Sequence, residues 1–286
     1  MSSGEEVFFQ LQRLARSHAA RNGTQAPTSE YVTRHGLESF LDRLMRTEHG
    51  GDFVLKGGML LGVYGARRPT RDIDAEAVNT SLTPEHIAQV VRDVAAVMVN
   101  DGVNFDLNSI TVTEIREAAQ YPGWRMRVAA SLGSQRIVIA WDISTGDPVV
   151  PPPRRVSVPR VLGDPIEMLG YAPETTVAEK GVTILERGKS STRWRDYVDI
   201  VQLAAAGIDD QLLLESMRAV ARYRNVTLGP IAQVVAGYGD IAQAKWAAWR
   251  HKEGLEDVAD ALLDDQLAKV AAVLDPVLAA LEAGAD

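Results

Sequence analysis

The chain comprises 286 residues, with 30 Lys and Arg against 38 Asp and Glu, 46% hydrophobic residues and no cysteine, the balance of a globular protein with one large or two modest domains. The missing cysteine excludes a disulfide framework, a thiolate zinc site and a Cys nucleophile, and the five scattered histidines offer no metal-binding spacing. No run approaches the roughly 18 apolar residues of a membrane span, and MSSGEEVFFQLQRLARS lacks the basic-then-apolar layout of a leader, so a cytoplasmic protein with no membrane partner is expected.

An N-terminal helical region is predicted to about His49, followed by Phe53 to Leu55 leading into a helix near Met59 to Tyr64. Strand signals then fall at Asp72 to Val78, Ile110 to Arg116, Trp124 to Leu132 and Arg136 to Ile143. A helix near Pro84 to Val99 opens with Pro in its first turn, where the missing N–H costs nothing. Seven of the thirteen prolines lie between Pro148 and Pro173, and PVVPPPRRVSVPR can neither continue a helix nor sit in a central strand. A domain junction is expected there. Beyond it Val177, Gly181 and Ile184, then Trp194, Tyr197, Val198 and Val201, recur at helical spacing, and strands are expected to stop. From Asp257 to Ala283 a broad apolar face runs through Val258, Leu262, Leu263, Leu267, Val270, Val273 and Leu274. The expected fold class is therefore α/β (α+β): a first domain over residues 1–150 with a mixed sheet and flanking helices, a Pro-rich junction over 151–173, and a helical bundle over 174–286.

The net charge of −8 is not evenly spread. Residues 253–286 hold nine acids and one Lys, whereas residues 180–252 hold eleven Lys and Arg against seven acids, a local +4 that leaves nucleic acid admissible as a partner.

The most informative stretch is LKGGMLLGVYGARRPTRDIDAEAV. Gly57 and Gly58 stand at a turn into a helix, where backbone N–H groups can approach phosphate oxygens. Thirteen residues then separate Gly58 from Asp72, and the intervening loop carries Arg67, Arg68 and Arg71. Side chains at i and i+2 of a strand share a face, so Asp72 and Asp74 can share one or two hard cations while Ile73 faces the core. The bland reading of each part is a plain helix-entry turn and a solvated edge strand. A phosphatase using DxD would need an apolar strand before its first Asp, and here that run is Arg67-Arg68-Pro69-Thr70-Arg71. Neither a GxGxxG fingerprint nor a GxxxxGK[ST] loop is present.

As a set, these residues resemble the nucleotidyltransferase signature, in which a diglycine precedes an Asp-x-Asp strand by about a dozen residues. More closely, Lys56-Gly57-Gly58 with Thr70-Arg71-Asp72-Ile73-Asp74 is similar to the AbiEii/MenT family of nucleotidyltransferase-like toxins. That family also carries a helical Lys about a hundred residues later and an RDxxDL-like helix, matched here by Ala178-Glu179-Lys180 and by Arg195-Asp196-Tyr197-Val198-Asp199-Ile200. The resemblance covers roughly residues 50 to 205. It departs at Met59, where many relatives place Ser, so a hydroxyl contact to phosphate is missing there; Thr70 is a substitute for that contact or a simple strand-entry hydrogen bonder.

The resemblance implies a nucleotidyltransferase-type sheet in the first domain and transfer of NMP from an NTP with Mg²⁺ or Mn²⁺. Asp72 and Asp74 would hold metal, with Asp142, at the end of the apolar run Ile137 to Trp141, as the third carboxylate. Lys56, Gly57, Gly58, Thr70, Arg71, Lys180, Arg195 and Asp196 would bind nucleotide, and Lys180 and Asp199 would join the catalytic set. Competing readings are a stem-packed Lys180, an ion-pair network in which Arg195 reaches Asp199, and a strand-end cap at Asp142. Arg125 and Arg127 face either the same cleft or solvent. The acceptor implied is the 3′ end of tRNA, the outcome a block on translation, and the partner an antitoxin protein. Arg187, Lys189, Arg193, Arg218, Arg222 and Arg224, with Trp194 and Tyr223 among them, offer an acceptor-stem platform or the solvated face of a bundle. Nucleotidylation of a small hydroxyl compound and a catalytically silent nucleotide-binding protein are the alternatives.

Overall fold

The computed structural model describes residues 3–23, 25–66, 69–115 and 123–283. It divides into two compact units. The first comprises Met1–Val63, Arg67–Gly146 and Arg154–Gly170, and the second Tyr64–Ala66, Asp147–Pro153 and Tyr171–Asp286.

In the first unit, helices α1 (Ser3–Asn22), α2 (Thr28–Leu44), α3 (Gly57–Leu61) and α4 (Pro84–Ala96) accompany strands β1 (Phe53–Lys56), β2 (Ile73–Ala77), β3 (Val103–Glu114), β4 (Gly123–Leu132), β5 (Gln135–Ser144), β6 (Arg154–Val158) and β7 (Ile166–Gly170). The strands form one mixed sheet in the order β3-β4-β5-β2-β1-β7-β6. Strand β2 runs parallel to β5 and antiparallel to β1. The expected α/β architecture is thus present.

Alternation along the strands gives the sheet two unlike faces. Ile73 and Ala75 on β2 pair in register with Trp141 and Ile143 on β5, which pair in turn with Met126 and Trp124 on β4. Of these, Ile73, Trp141 and Met126 have no exposed surface. Trp141 anchors this apolar face, its ring centroid 4.6 Å from that of Phe53 and 5.3 Å from that of Phe40 on α2. Helix α2 reaches the sheet because Gly36 leaves room: a methyl group there would lie 2.8 Å from Cδ1 of Ile139. The other face carries Asp74 and Glu76 on β2, Asp142 and Ser144 on β5, Arg125 on β4 and Lys56 on β1. The apolar face fixes the register, because a one-residue slip would bury the charged set.

Buried charges on α2 tie down the connections around the sheet. Arg43 donates to both carboxylate oxygens of Asp101, at 2.5 and 2.9 Å, and Ser39 donates to Asp101 at 2.7 Å. Glu38 accepts from Arg34 at 2.6 Å and from the backbone N–H of Val161 at 2.8 Å. Burial still pushes the Glu38 carboxyl above the usual range despite the opposing field of Arg34.

Residues 154–170, read from the sequence as part of a Pro-rich junction, instead form strands β6 and β7, and among the described residues strands do stop beyond Pro173 as expected. Prolines 151–153 and 159 flank β6 without entering it, and Pro165 immediately precedes β7. Strand β6 is also the sheet's edge, where proline beside a strand removes no central ladder bond. The strand expected over Ile110 to Arg116 begins earlier, at Val103, and Arg116 lies outside the described residues, as do Arg67 and Arg68.

The second unit is helical, with α5 (Pro173–Arg187), α6 (Trp194–Ala205), α7 (Asp210–Arg224), α8 (Ile231–Val235), α9 (Tyr238–Glu253) and α10 (Leu263–Ala283). Gly181 on α5 admits close neighbours, since a methyl group there would lie 3.1 Å from Leu274 and 3.2 Å from Met217. Helix α10 starts later than the apolar pattern suggests, and Val258 and Leu262 are exposed rather than packed. No helix among the described residues is long and apolar enough to cross a membrane.

Candidate active site

The site in the first unit is built from one row of residues crossing the sheet. Lys56 on β1 is the register partner of Asp74 on β2, Asp74 that of Asp142 on β5, and Asp142 that of Arg125 on β4. The topology explains why Asp74 and Asp142, 68 positions apart in the chain, become neighbours: β5 inserts beside β2 in parallel. Asp72 sits just before β2, and its Oδ1 lies 3.3 Å from the Thr70 hydroxyl. Arg71 beside it is exposed.

Gly57 closes against this row. Its φ of 65° is a left-handed conformation that favours glycine. A methyl group at Gly57 would lie 2.5 Å from Cγ and 2.7 Å from Cβ of Asp74. The diglycine bend and Asp74 are therefore in contact, and only the absence of a side chain permits it. Gly58 follows as a buried residue of α3 and, with Met59, Gly62 and Thr70, lines an open cleft bounded by Glu30, Arg34, Val158 and Pro159.

Two cations flank the acids. The Arg125 guanidinium makes a two-pronged contact with Asp142, Nε to Oδ1 at 2.7 Å and Nη2 to Oδ2. This pairing holds Arg125 firmly protonated, first through the hydrogen bond to Asp142 and then, against burial, through the charges of Asp142, Asp72 and Asp74. Arg127, two residues on, is exposed. Lys56, expected among the nucleotide ligands, places Nζ 3.0 Å from Oε2 of Glu76. Glu76 is 1% exposed, also accepts from Ser144 at 2.5 Å, and leaves Oε1 without a hydrogen-bond partner. Sequence reasoning passed over Glu76, although its place two residues beyond Asp74 puts it on the same strand face.

The second unit gathers the later motifs. Lys180 on α5 points Nζ at Asp196 and Asp199 on α6, 2.5 and 3.0 Å away, and Arg193 reaches Asp196 at 2.7 Å. Both carboxylates are buried. Burial favours neutral Lys180, yet the fields of Asp196 and Asp199 outweigh it and raise the ammonium above its ordinary value. Burial likewise opposes ionisation of Asp196, and Lys180 and Arg193 reverse it, holding the carboxyl below the usual range. The anion required by a Lys on an apolar stripe is thus supplied by the protein. Arg195 does not reach Asp199; its side chain points outward and pairs with Glu253. Trp194 is buried against Trp246 and Trp249, and Arg224 is engaged with Asp147, which removes both from the expected platform; Tyr223 is exposed.

A family model described as nucleotidyl transferase AbiEii toxin, type IV toxin–antitoxin system, matches residues 39–276. The chain belongs to this family. The matched span takes in every residue of the row and of the Lys180 cluster. Among solved structures, the AbiEii chain is similar to MenT4, a nucleotidyltransferase toxin of Mycobacterium tuberculosis H37Rv, at 18% identity and a TM-score of 0.60, covering 94% of this chain and 89% of that one. A candidate nucleotidyltransferase from H. pylori matches at 14% identity and a TM-score of 0.50, covering 88% and 96%. These likenesses establish the nucleotidyltransferase-like fold. No curated protein sequence matches.

Proposed function

We propose that the chain transfers a nucleotidyl group from an NTP to a hydroxyl at the 3′ end of tRNA, and that it acts inside the cell as a toxin opposed by an antitoxin protein. The observation that carries this reading is the contact between Gly57 and Asp74 within the row Lys56, Asp74, Asp142, Arg125. It puts a bend able to approach phosphate directly beside the acids of the Asp-x-Asp motif.

The oxygen donors of Asp72 and Asp74 suit a hard cation such as Mg²⁺ or Mn²⁺. Among the described residues no three acidic or His side chains converge as a ready metal cluster, and Asp142 gives both oxygens to Arg125. A divalent ion at Asp72 and Asp74 would neutralise charge developing on the transferred phosphoryl group. Gly57 leaves the space that Asp74 occupies, Gly58 lines the open cleft beside it, and Thr70 steadies Asp72 through its hydroxyl. Lys56, neutralised by Glu76, positions β1 against β2 beneath the acids. Arg71, exposed at the entry to β2, is available to a triphosphate. Most of the acceleration in such a site comes from positioning and preset charge. In the second unit, Lys180 and Arg193 together balance the charges of Asp196 and Asp199; the proposed role of this cluster is nucleotide binding through Lys180, with Asp199 orienting the ammonium. Arg195 is assigned only a peripheral contribution to nucleotide binding.

Sequencing of tRNA 3′ ends after incubation with each NTP tests the proposal, because it reports donor, acceptor and reaction together. Added nucleotides at the 3′ end support it. Label carried only by a small hydroxyl compound supplied alongside would overturn the tRNA assignment.

A further inference from the structure

Among the described residues, four carboxylates on the polar face of the sheet around β2 are joined by two cations that pair with them. The carboxylates are Asp72, Asp74, Glu76 and Asp142; the cations are Lys56, held by Glu76 at 3.0 Å, and Arg125, held by Asp142. What matters is how these charges are distributed. Glu76 is buried with its cation beside it, so it adds nothing outward. Asp142 stands next to Asp74 in the sheet, where a second ion would need a shared oxygen ligand. Both of its oxygens are instead engaged by one planar guanidinium, from Nε and Nη2. This fork matches a carboxylate in a way no single-point cation does. An ion docking on Asp142 would have to displace the fork and then sit beside a like charge.

We propose that Arg125 takes the place of a second metal ion, so that the site holds a single divalent cation on Asp72 and Asp74 with Asp142 serving only to position Arg125. Arg125 is thus a fixed cation of the active site, anchored one strand away from Asp74. The inference rests on the metal-dependent reading above, and its test counts ions rather than products.

The full-length protein is titrated with Mn²⁺ in the presence of a non-hydrolysable α,β-methylene NTP, and free Mn²⁺ is followed by electron paramagnetic resonance. Wild type binds one ion per chain. Arg125→Gln, which releases Asp142, binds a second. The Asp142→Asn variant provides a check that does not depend on how Arg125→Gln folds: its Mn²⁺ affinity stays within about twofold of wild type, whereas loss of a true ligand or its essential support weakens binding about tenfold or more. Two ions in wild type, an unchanged single ion in folded Arg125→Gln, or a tenfold loss in Asp142→Asn overturns the inference while leaving the metal-dependent reading intact. Absence of any bound Mn²⁺ in wild type overturns both.

Discussion

Replacing Gly57 by Ala perturbs the site at one defined point. The backbone there has a φ of 65°, and forcing a residue with a Cβ into that conformation costs about 1–2 kcal/mol. The new methyl group would also stand 2.5 Å from Cγ of Asp74. Relaxation to an ordinary carbon–carbon separation of ~3.5 Å moves the carboxylate by roughly 1 Å. A displacement of that size at a reacting centre lowers turnover by about 10²-fold. Gly57→Ala therefore loses only ~1–2 kcal/mol in urea denaturation, yet nucleotidyl transfer, followed with α-labelled NTP and total tRNA, falls by about two orders of magnitude. Gly23→Ala is the matched control, since Gly23 has the same φ of 65° and nothing within 4 Å of the added methyl. It carries the backbone cost and keeps full transfer. Transfer by Gly57→Ala within a fewfold of wild type would refute the argument that this contact sets the position of Asp74.

Three further outcomes follow from the buried polar groups. Lys180→Met removes the ammonium shared by Asp196 and Asp199 in the interior of the second unit, and loss of one partner from such a cluster costs about 3–5 kcal/mol; urea denaturation showing less than ~1 kcal/mol would contradict a buried ion cluster. His35 donates from Nε2 to the carbonyl of Asp101 at 2.9 Å, and its buried Nδ1 has no partner. Burial, opposed by Asp101, lowers its pKa from 6.5. The unfolded chain therefore binds the proton more readily, and stability is complete above 6.5 and declines as pH falls toward the folded value. His35→Gln, which keeps a donor but cannot titrate, has a flatter stability profile just below pH 6.5 than wild type; identical slopes would contradict the assignment. Glu76→Gln removes the carboxylate 3.0 Å from Lys56 Nζ at a position that is 1% exposed, and is expected to destabilise the fold by ~3–5 kcal/mol in the same denaturation assay.

The diglycine bend and Asp-Ile-Asp were legible because their spacing is local, and the polarity of alternate residues already placed Ile73 inward. Asp142 was legible as an acid ending an apolar strand. Its place beside Asp74 was implied only by the family resemblance, because it depends on β5 inserting in parallel beside β2, a long-range arrangement that periodicity does not encode. Arg125 and Arg127 share one strand face and look alike in sequence; only the register opposite Asp142 separates the paired, half-buried cation from the exposed one. Strands β6 and β7 were hidden by the prolines that bracket them, since proline density marks the ends of a strand as strongly as it marks a linker. Trp194 followed the helical repeat and belonged to the core, while its neighbouring arginines drew attention to it as a surface aromatic.

The proposed chemistry rests on Asp74, seated against the diglycine bend, and on Asp72 two residues before it. It is tested most directly by transfer of label from α-labelled NTP to tRNA with wild type and with Asp74→Asn at matched stability. Replacing a charged group that is required to hold the reacting phosphate lowers transfer by about 10²-fold or more, with pyrophosphate release falling in parallel. Equal transfer by the two proteins would contradict the account.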